Sequence, residues 1–147
     1  MPFTLVNPIF VSRDGHLRAH FDVIGLDRGQ YQVHLRVSEE DALDFSAVLS
    51  YRLRSTNTWI ILRRYNGKAH EHRNPIEKEP VFFDYHIHMA TERYQRAPGR
   101  KPETYAVVTT RYVDIHGAIE CLVEDCGFFK DPAKQRDLFY LDEDSDN

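Results

Sequence analysis

The chain has 147 residues, a formal charge of −4, 41% hydrophobic and 29% charged residues, which fits a single soluble globular domain able to bury a core of its own. The negative total argues against a generally basic nucleic-acid binder, and no run approaches the roughly 20 apolar residues that a membrane span needs. The opening MPFTLVNPIF lacks the charged and apolar regions of a secretory signal, so the reading is a cytoplasmic protein with no membrane partner.

In chain order, the first third reads as β meander. Ile9–Ser12 and Leu17–Ile24 flank RDGH, whose Asp14-Gly15 pair is a hairpin turn signal. GLDRGQ is the next turn, and YQVHLRV the next strand, with Tyr31, Val33, Leu35 and Val37 on one face. SEEDALD is expected as a loop or one helical turn, FSAVLSYRL as a strand, RSTNT as a turn and WIILRRY as a strongly apolar strand. NGK turns or bulges, because Asn and Gly tolerate positive φ. KAHEH and VFFDYHIHM are then two extended segments, and TERYQRA a short helical turn closed by Pro98-Gly99.

The one long helix falls on VDIHGAIECLVEDC, where Ile115, Ala118, Ile119, Leu122, Val123 and Cys126 recur at helical spacing and Gly127 follows as a C-terminal cap. Strands first and a helix last define an α+β class: an antiparallel β-sheet meander with one main C-terminal helix packed on one face. The expected division is a single domain over 1–130 and an acidic tail over 131–147. Cys121 and Cys126, five apart, fall on different sides of the helix and are read as reduced thiols.

Charge is unevenly placed. From Tyr51 to Pro75 there are Arg52, Arg54, Arg63, Arg64, Lys68 and Arg73 against the single acid Glu71, and a second basic run holds Arg93, Arg96, Arg100 and Lys101. Such local basic surface attracts phosphate even on an acidic protein, although charged side chains also simply solvate exposed faces.

Within this basic region, HEHRNPIEKEPVFFDYHIH carries two His-x-His pairs, four of the chain's eight histidines. In extended chain His70 and His72 share a face, as do Asp84, His86 and His88. A hairpin around NPIEKEP places His72 opposite His86 and His70 opposite His88, with side chains about 4.5–5.5 Å apart at Cβ and Lys68 beside them. Three readings follow. In the first, histidine is merely tolerated on half-exposed strands, with no chemistry. The pairs, with Asp84, could chelate zinc or a similar ion. Or two imidazoles, one neutral and one charged, could take the ribose 2′-hydroxyl proton and protonate the leaving 5′-oxygen of RNA without a metal or other cofactor.

The last reading assigns catalysis to His70, His72, His86 and His88, phosphate binding to Arg64, Lys68 and Arg73, and substrate contact to Tyr65, Asn66 and Arg93. Its rival from another class is a non-enzymatic module holding nucleic acid or protein. No Walker loop, GxSxG elbow, HExxH helix or dinucleotide fingerprint is present.

The runs RRYNGKAHEH and FDYHIHMATERYQ, with DFSAVLSY before and YAVVTTRYVDIHGAIECLVEDCGF after, resemble an uncharacterised family of small bacterial proteins over roughly residues 44–129. More distantly, RYN before clustered His-x-His resembles the TumE group of toxin–antitoxin toxins, through Arg64, Tyr65, Asn66, His70 and His72. This chain has Asn66 where that group has Asp-Asn, and its loop lengths differ. The resemblance implies a bacterial growth-inhibiting or defence protein, with RNA as substrate and a cognate antitoxin as partner.

Overall fold

The computed structural model describes residues 10–69, 72, 74–77, 83–97, 99 and 101–128. The expected tail, His70 and Arg73 lie outside the described residues.

Asp14 and Gly15 both take positive φ, 52° and 77°, the conformation of a tight primed turn. They join β1 (Val11–Arg13) to β2 (His16–Ile24). The GLDRGQ turn leads into β3 (Gln30–Ser38), and β4 (Phe45–Arg52) and β5 (Trp59–Asn66) follow. SEEDALD is a loop, in which Ser38 Oγ accepts from the Glu40 and Asp41 amides. After β5 come β6 (His86–Met89), α1 (Glu92–Arg96), β7 (Ala106–Val108) and α2 (Ile115–Asp125). Among the described residues the strands form one seven-stranded antiparallel sheet in sequence order, so the expected α+β meander is the fold.

Three details differ from the sequence reading. Of the described part of VFFDYHIHM, residues 83–89, only His86–Met89 is strand. The three-residue β7 is too short to show an alternation. Most consequential, His86 and His88 of β6 pair with Asn66 and Arg64 of β5 and with Val108 and Ala106 of β7. The expected pairing of His72 opposite His86 therefore does not form, because both ladders of β6 are already occupied; the other expected pair includes His70, which lies outside the described residues.

The two faces of the sheet differ as strand alternation requires. Val23, Val33, Leu35, Phe45, Ala47, Leu49, Tyr65 and Ile87 form one core with Ala118, Ile119, Leu122 and Val123 of α2, each fully buried aliphatic contributing about 1.5–3 kcal/mol. Asp114 caps α2 by accepting the Gly117 amide at 2.8 Å. Gly127, at φ 67°, closes it, and the Phe128 amide returns to the Val123 carbonyl at 3.1 Å. Asp125 ties the helix end to the sheet: it accepts the Tyr65 hydroxyl and both arms of Arg111, each at 2.8 Å. Cys121 and Cys126 are both free thiols. Among the described residues no helix is long and apolar enough to cross a membrane.

Gly67 marks where the chain leaves β5 beneath the loop preceding β4. Its amide donates to the Phe45 carbonyl, and a Cβ there would sit 1.8 Å from the Leu43 carbonyl oxygen. Since that neighbour is backbone, Gly67→Ala is expected to destabilise the fold by about 1–3 kcal/mol. A urea midpoint within error of the wild type would contradict this account of the turn.

Candidate functional site

The face of the sheet turned away from α2 carries two cross-strand rows. One runs His20, His34, Val48, Arg64, His88, Ala106; the neighbouring row runs Arg18, Arg36, Ser46, Asn66, His86, Val108. The His-x-His alternation of β6 thus places His86 and His88 on this face, between the partners that β5 supplies.

His72 joins them from the segment before β6. The ring centroids of His72 and His86 are 5.5 Å apart and nearly parallel, those of His72 and His88 are 4.7 Å apart, and those of His86 and His88 are 5.0 Å apart. Three of the four expected imidazoles therefore converge, without the expected hairpin. His72 makes an isolated β-bridge of its own, and its near neighbour Asn74, which is fully buried, fastens the segment further. Its amide side chain acts as a short strand along β7, donating to the Ala106 carbonyl at 2.7 Å and accepting the Ala106 amide at 2.8 Å. Those two bonds fix which end of the amide is oxygen, so His72 Nε2, 3.0 Å from that oxygen, must carry hydrogen. Just beyond Asn74, Ile76 and Glu77 meet Tyr94 of α1, which is also fully buried; its hydroxyl donates to Glu77 and accepts the Ile76 amide.

The other two rings are oriented by carbonyl acceptors. His86 Nδ1 donates to the Asp84 carbonyl at 2.8 Å, and its Nε2 accepts from Asn66 Nδ2 at 3.3 Å. His88 Nδ1 donates to the Glu103 carbonyl at 2.9 Å, which leaves Nε2 as the unprotonated nitrogen of the neutral ring. Underneath, the Tyr112 hydroxyl lies between the Asn66 and His86 carbonyls, 2.8 and 2.9 Å away, and locks β5 to β6 from the core side.

Burial, with His86 and His72 close by and Arg64 beside it, pushes the His88 imidazole down to about 3, against the opposing bond to Glu103. His88 is therefore a neutral ring at pH 7. Arg64, its cross-strand partner, is half-buried, and its Nε is enclosed with no hydrogen-bond partner among the described residues. Burial lowers the Arg64 guanidinium's proton affinity, and the Glu103 carboxylate works against that shift; an arginine remains charged regardless.

The remaining candidates divide cleanly. Asn66 is buried against His86. Tyr65, by strand alternation, points the other way, is fully buried in the core and cannot touch a substrate there. Lys68 is exposed, its ammonium 5.1 Å from the centre of the Tyr85 ring. Arg93 pairs with Glu77 and lies against the Tyr94 and Tyr105 rings, so it braces the segment carrying Asn74. Asp84 contributes its carbonyl to His86. Asn74 and Tyr112 had no signal in the sequence beyond an Asn-Pro turn and an aromatic near the helix start. As the rings stand, with His72 Nε2–H turned to Asn74 and His86 Nε2 accepting from Asn66, no three His, Cys, Asp or Glu side chains among the described residues are arranged to hold a metal ion.

Comparison with known protein families, curated proteins and solved structures finds no match for this chain.

Proposed function

We propose that the protein is a metal-independent endoribonuclease of the cytoplasm, of the kind that serves as the toxin of a bacterial toxin–antitoxin or defence system. The observation that carries this reading is the convergence of His72, His86 and His88, within 5.5 Å of one another, beside the half-buried cation Arg64.

The roles follow from the hydrogen bonds. His88 is neutral and its Nε2 makes no hydrogen bond among the described residues, so it is the group to take the 2′-hydroxyl proton. A phosphodiester seated on Arg64 offsets the guanidinium and adds negative charge next to His88, which raises the affinity of that ring for the proton it must accept. Asn74 holds His72 Nε2–H, so it is the imidazolium form of His72 that acts, giving its Nδ1 proton to the 5′-oxygen as the bond from phosphorus to that oxygen breaks and the 2′-oxygen bonds to phosphorus, and leaving a neutral ring. His86, fully buried and engaged at both nitrogens, positions the other two rings. Arg64 stabilises the charge that gathers on the phosphate oxygens.

The test is cleavage of a generic RNA in EDTA. Wild type is expected to cut it, and His88→Ala and His72→Ala to lose about 10²–10⁴-fold in rate, with both variants retaining the wild-type circular dichroism spectrum. Absence of cleavage, or cleavage only after a divalent metal is restored, overturns the reading. RNA binding without cleavage would make the protein a binding module.

A further inference from the structure

Beside the imidazoles, the same face of the sheet opens into a cavity of about 940 Å³ that runs from Arg64 and Asn66 across β4 and β3 to β2 and β1. The three clustered histidines do not line it; Arg64 and Asn66 are the shared wall. Its charged lining consists of Arg13, Arg18, Arg36 and Arg64, with His20 and His34 and no carboxylate among the described residues that line it. In a chain of net charge −4, four guanidinium groups around one opening is a strong local reversal of sign. Arg36 has a partner outside the opening, Asp44 at 2.8 Å, and Arg13 touches Asp14 at 3.7 Å. Arg18 is exposed with no ion pair among the described residues.

The register explains the collection. The tight β2–β3 turn sets Arg18 opposite Arg36 and His20 opposite His34. The two imidazoles face one another with centroids 6.0 Å apart and planes inclined by 22°. Both rows then continue through Ser46 and Val48 to Asn66 and Arg64. From β2 to β5 the span is three strand spacings, about 14 Å, longer than one nucleotide, and the volume sits at the upper end of the roughly 300–1,000 Å³ typical of ligand pockets.

We propose that this cavity is a binding groove for single-stranded RNA, holding the nucleotides on one side of the phosphate at Arg64. Arg36 and Arg18 take the next phosphates, and the His20–His34 pair offers ring faces for an unstacked base. A single strand is specified because bases are read by stacking on imidazole and guanidinium planes only when they are free of a duplex. This assignment rests on the nuclease reading for the identity of the polymer, but makes a separate demand: affinity must depend on residues remote from the imidazole cluster.

The experiment is fluorescence anisotropy of a labelled hexanucleotide RNA on full-length protein carrying His88→Ala, so that binding is read whether or not the parent cleaves. Arg18→Gln and Arg36→Gln are each expected to weaken binding roughly tenfold and to reduce the log–log salt slope by about 0.7. Arg96→Gln, on α1 and ion-paired to Glu92, is expected to bind like the parent. Since Arg36 also holds Asp44, Arg18→Gln is the variant that leaves folded contacts intact. Unchanged binding in Arg18→Gln, or a duplex of the same sequence bound as tightly as the single strand, overturns the groove. Intact, groove-dependent binding by a protein that never cleaves RNA leaves the groove standing and removes the nuclease; cleavage and binding indifferent to both arginines does the reverse.

Discussion

Replacing Asn74 with leucine is expected to cost about 3–5 kcal/mol of stability, because it strands several buried polar groups at once. The side chain is fully enclosed and supplies both partners of Ala106 on the open side of β7, as well as the acceptor for His72. Leucine has nearly the same volume, so packing is conserved while the Ala106 amide, the Ala106 carbonyl and the His72 Nε2–H lose their partner. Asn74→Ala is expected to cost less, since the space left by the amide admits a water that can bridge the same atoms. Urea unfolding gives the comparison directly. A leucine variant within about 1 kcal/mol of wild type, less than the penalty for one stranded group, would show that this amide does not carry the connection. The imidazole resonances of His72 report the second consequence: with Nε2–H unheld, the ring exchanges between tautomers.

That dependence reflects how the site is built. Of the three rings, His86 and His88 sit on a strand of the sheet; His72 comes from a segment outside the seven strands, held by an isolated β-bridge at His72 and by side-chain bonds around it. Asn74 fastens it to β7, and Glu77 and Ile76 fasten it to Tyr94, with Arg93 completing the brace through Glu77. Position is thus supplied by the bridge at His72 together with buried polar bonds, which are specific when complete and costly when one member is removed.

Those long-range bonds also mark the limit of what the residue order displays. The hairpin at Asp14-Gly15, the alternation of Tyr31, Val33, Leu35 and Val37, and the stripe on α2 are local patterns, and the fold follows them. The same period of two correctly sets His86 and His88 on one face. Applied to β5, it also separates Tyr65 from Arg64 and Asn66, although the run RYN invites treating the three as one group. The cross-strand partners of β6 were not legible in this way. The connection from Asn66 to His86 is too long for a hairpin rule, and nothing in HEHRNP shows that Asn74 substitutes for a strand. His20 and His34 have no common motif, but the β2–β3 turn alone fixes them opposite one another; the signal was register, not spacing along the chain.

Acidification is expected to destabilise the protein well before its carboxylates titrate. His88 is held at about 3 in the fold, whereas an unfolded imidazole titrates near 6.5. Below that value the unfolded chain takes up a proton that the folded ring refuses, so stability falls as pH drops from about 6.5 toward 3, by up to about 1.4 kcal/mol per pH unit for this one group. His34, lowered by burial and by His20, acts in the same direction. Asp125 belongs to a lower window: the fork of Arg111 holds its carboxyl below the usual range, so its contribution is complete above about pH 4 and lost only beneath it. Urea midpoints between pH 7.5 and 4.5 should therefore decline in wild type and decline less steeply in His88→Gln; parallel curves would remove His88 as the cause. A non-cleavable RNA bearing 2′-O-methyl groups supplies the link to chemistry. Under the proposed nuclease reading, its phosphates on Arg64 offset the charge that helps to keep His88 deprotonated, so the gap between folded and unfolded proton affinities is expected to narrow and the loss between pH 6.5 and 4.5 to shrink in wild type but not in His88→Gln.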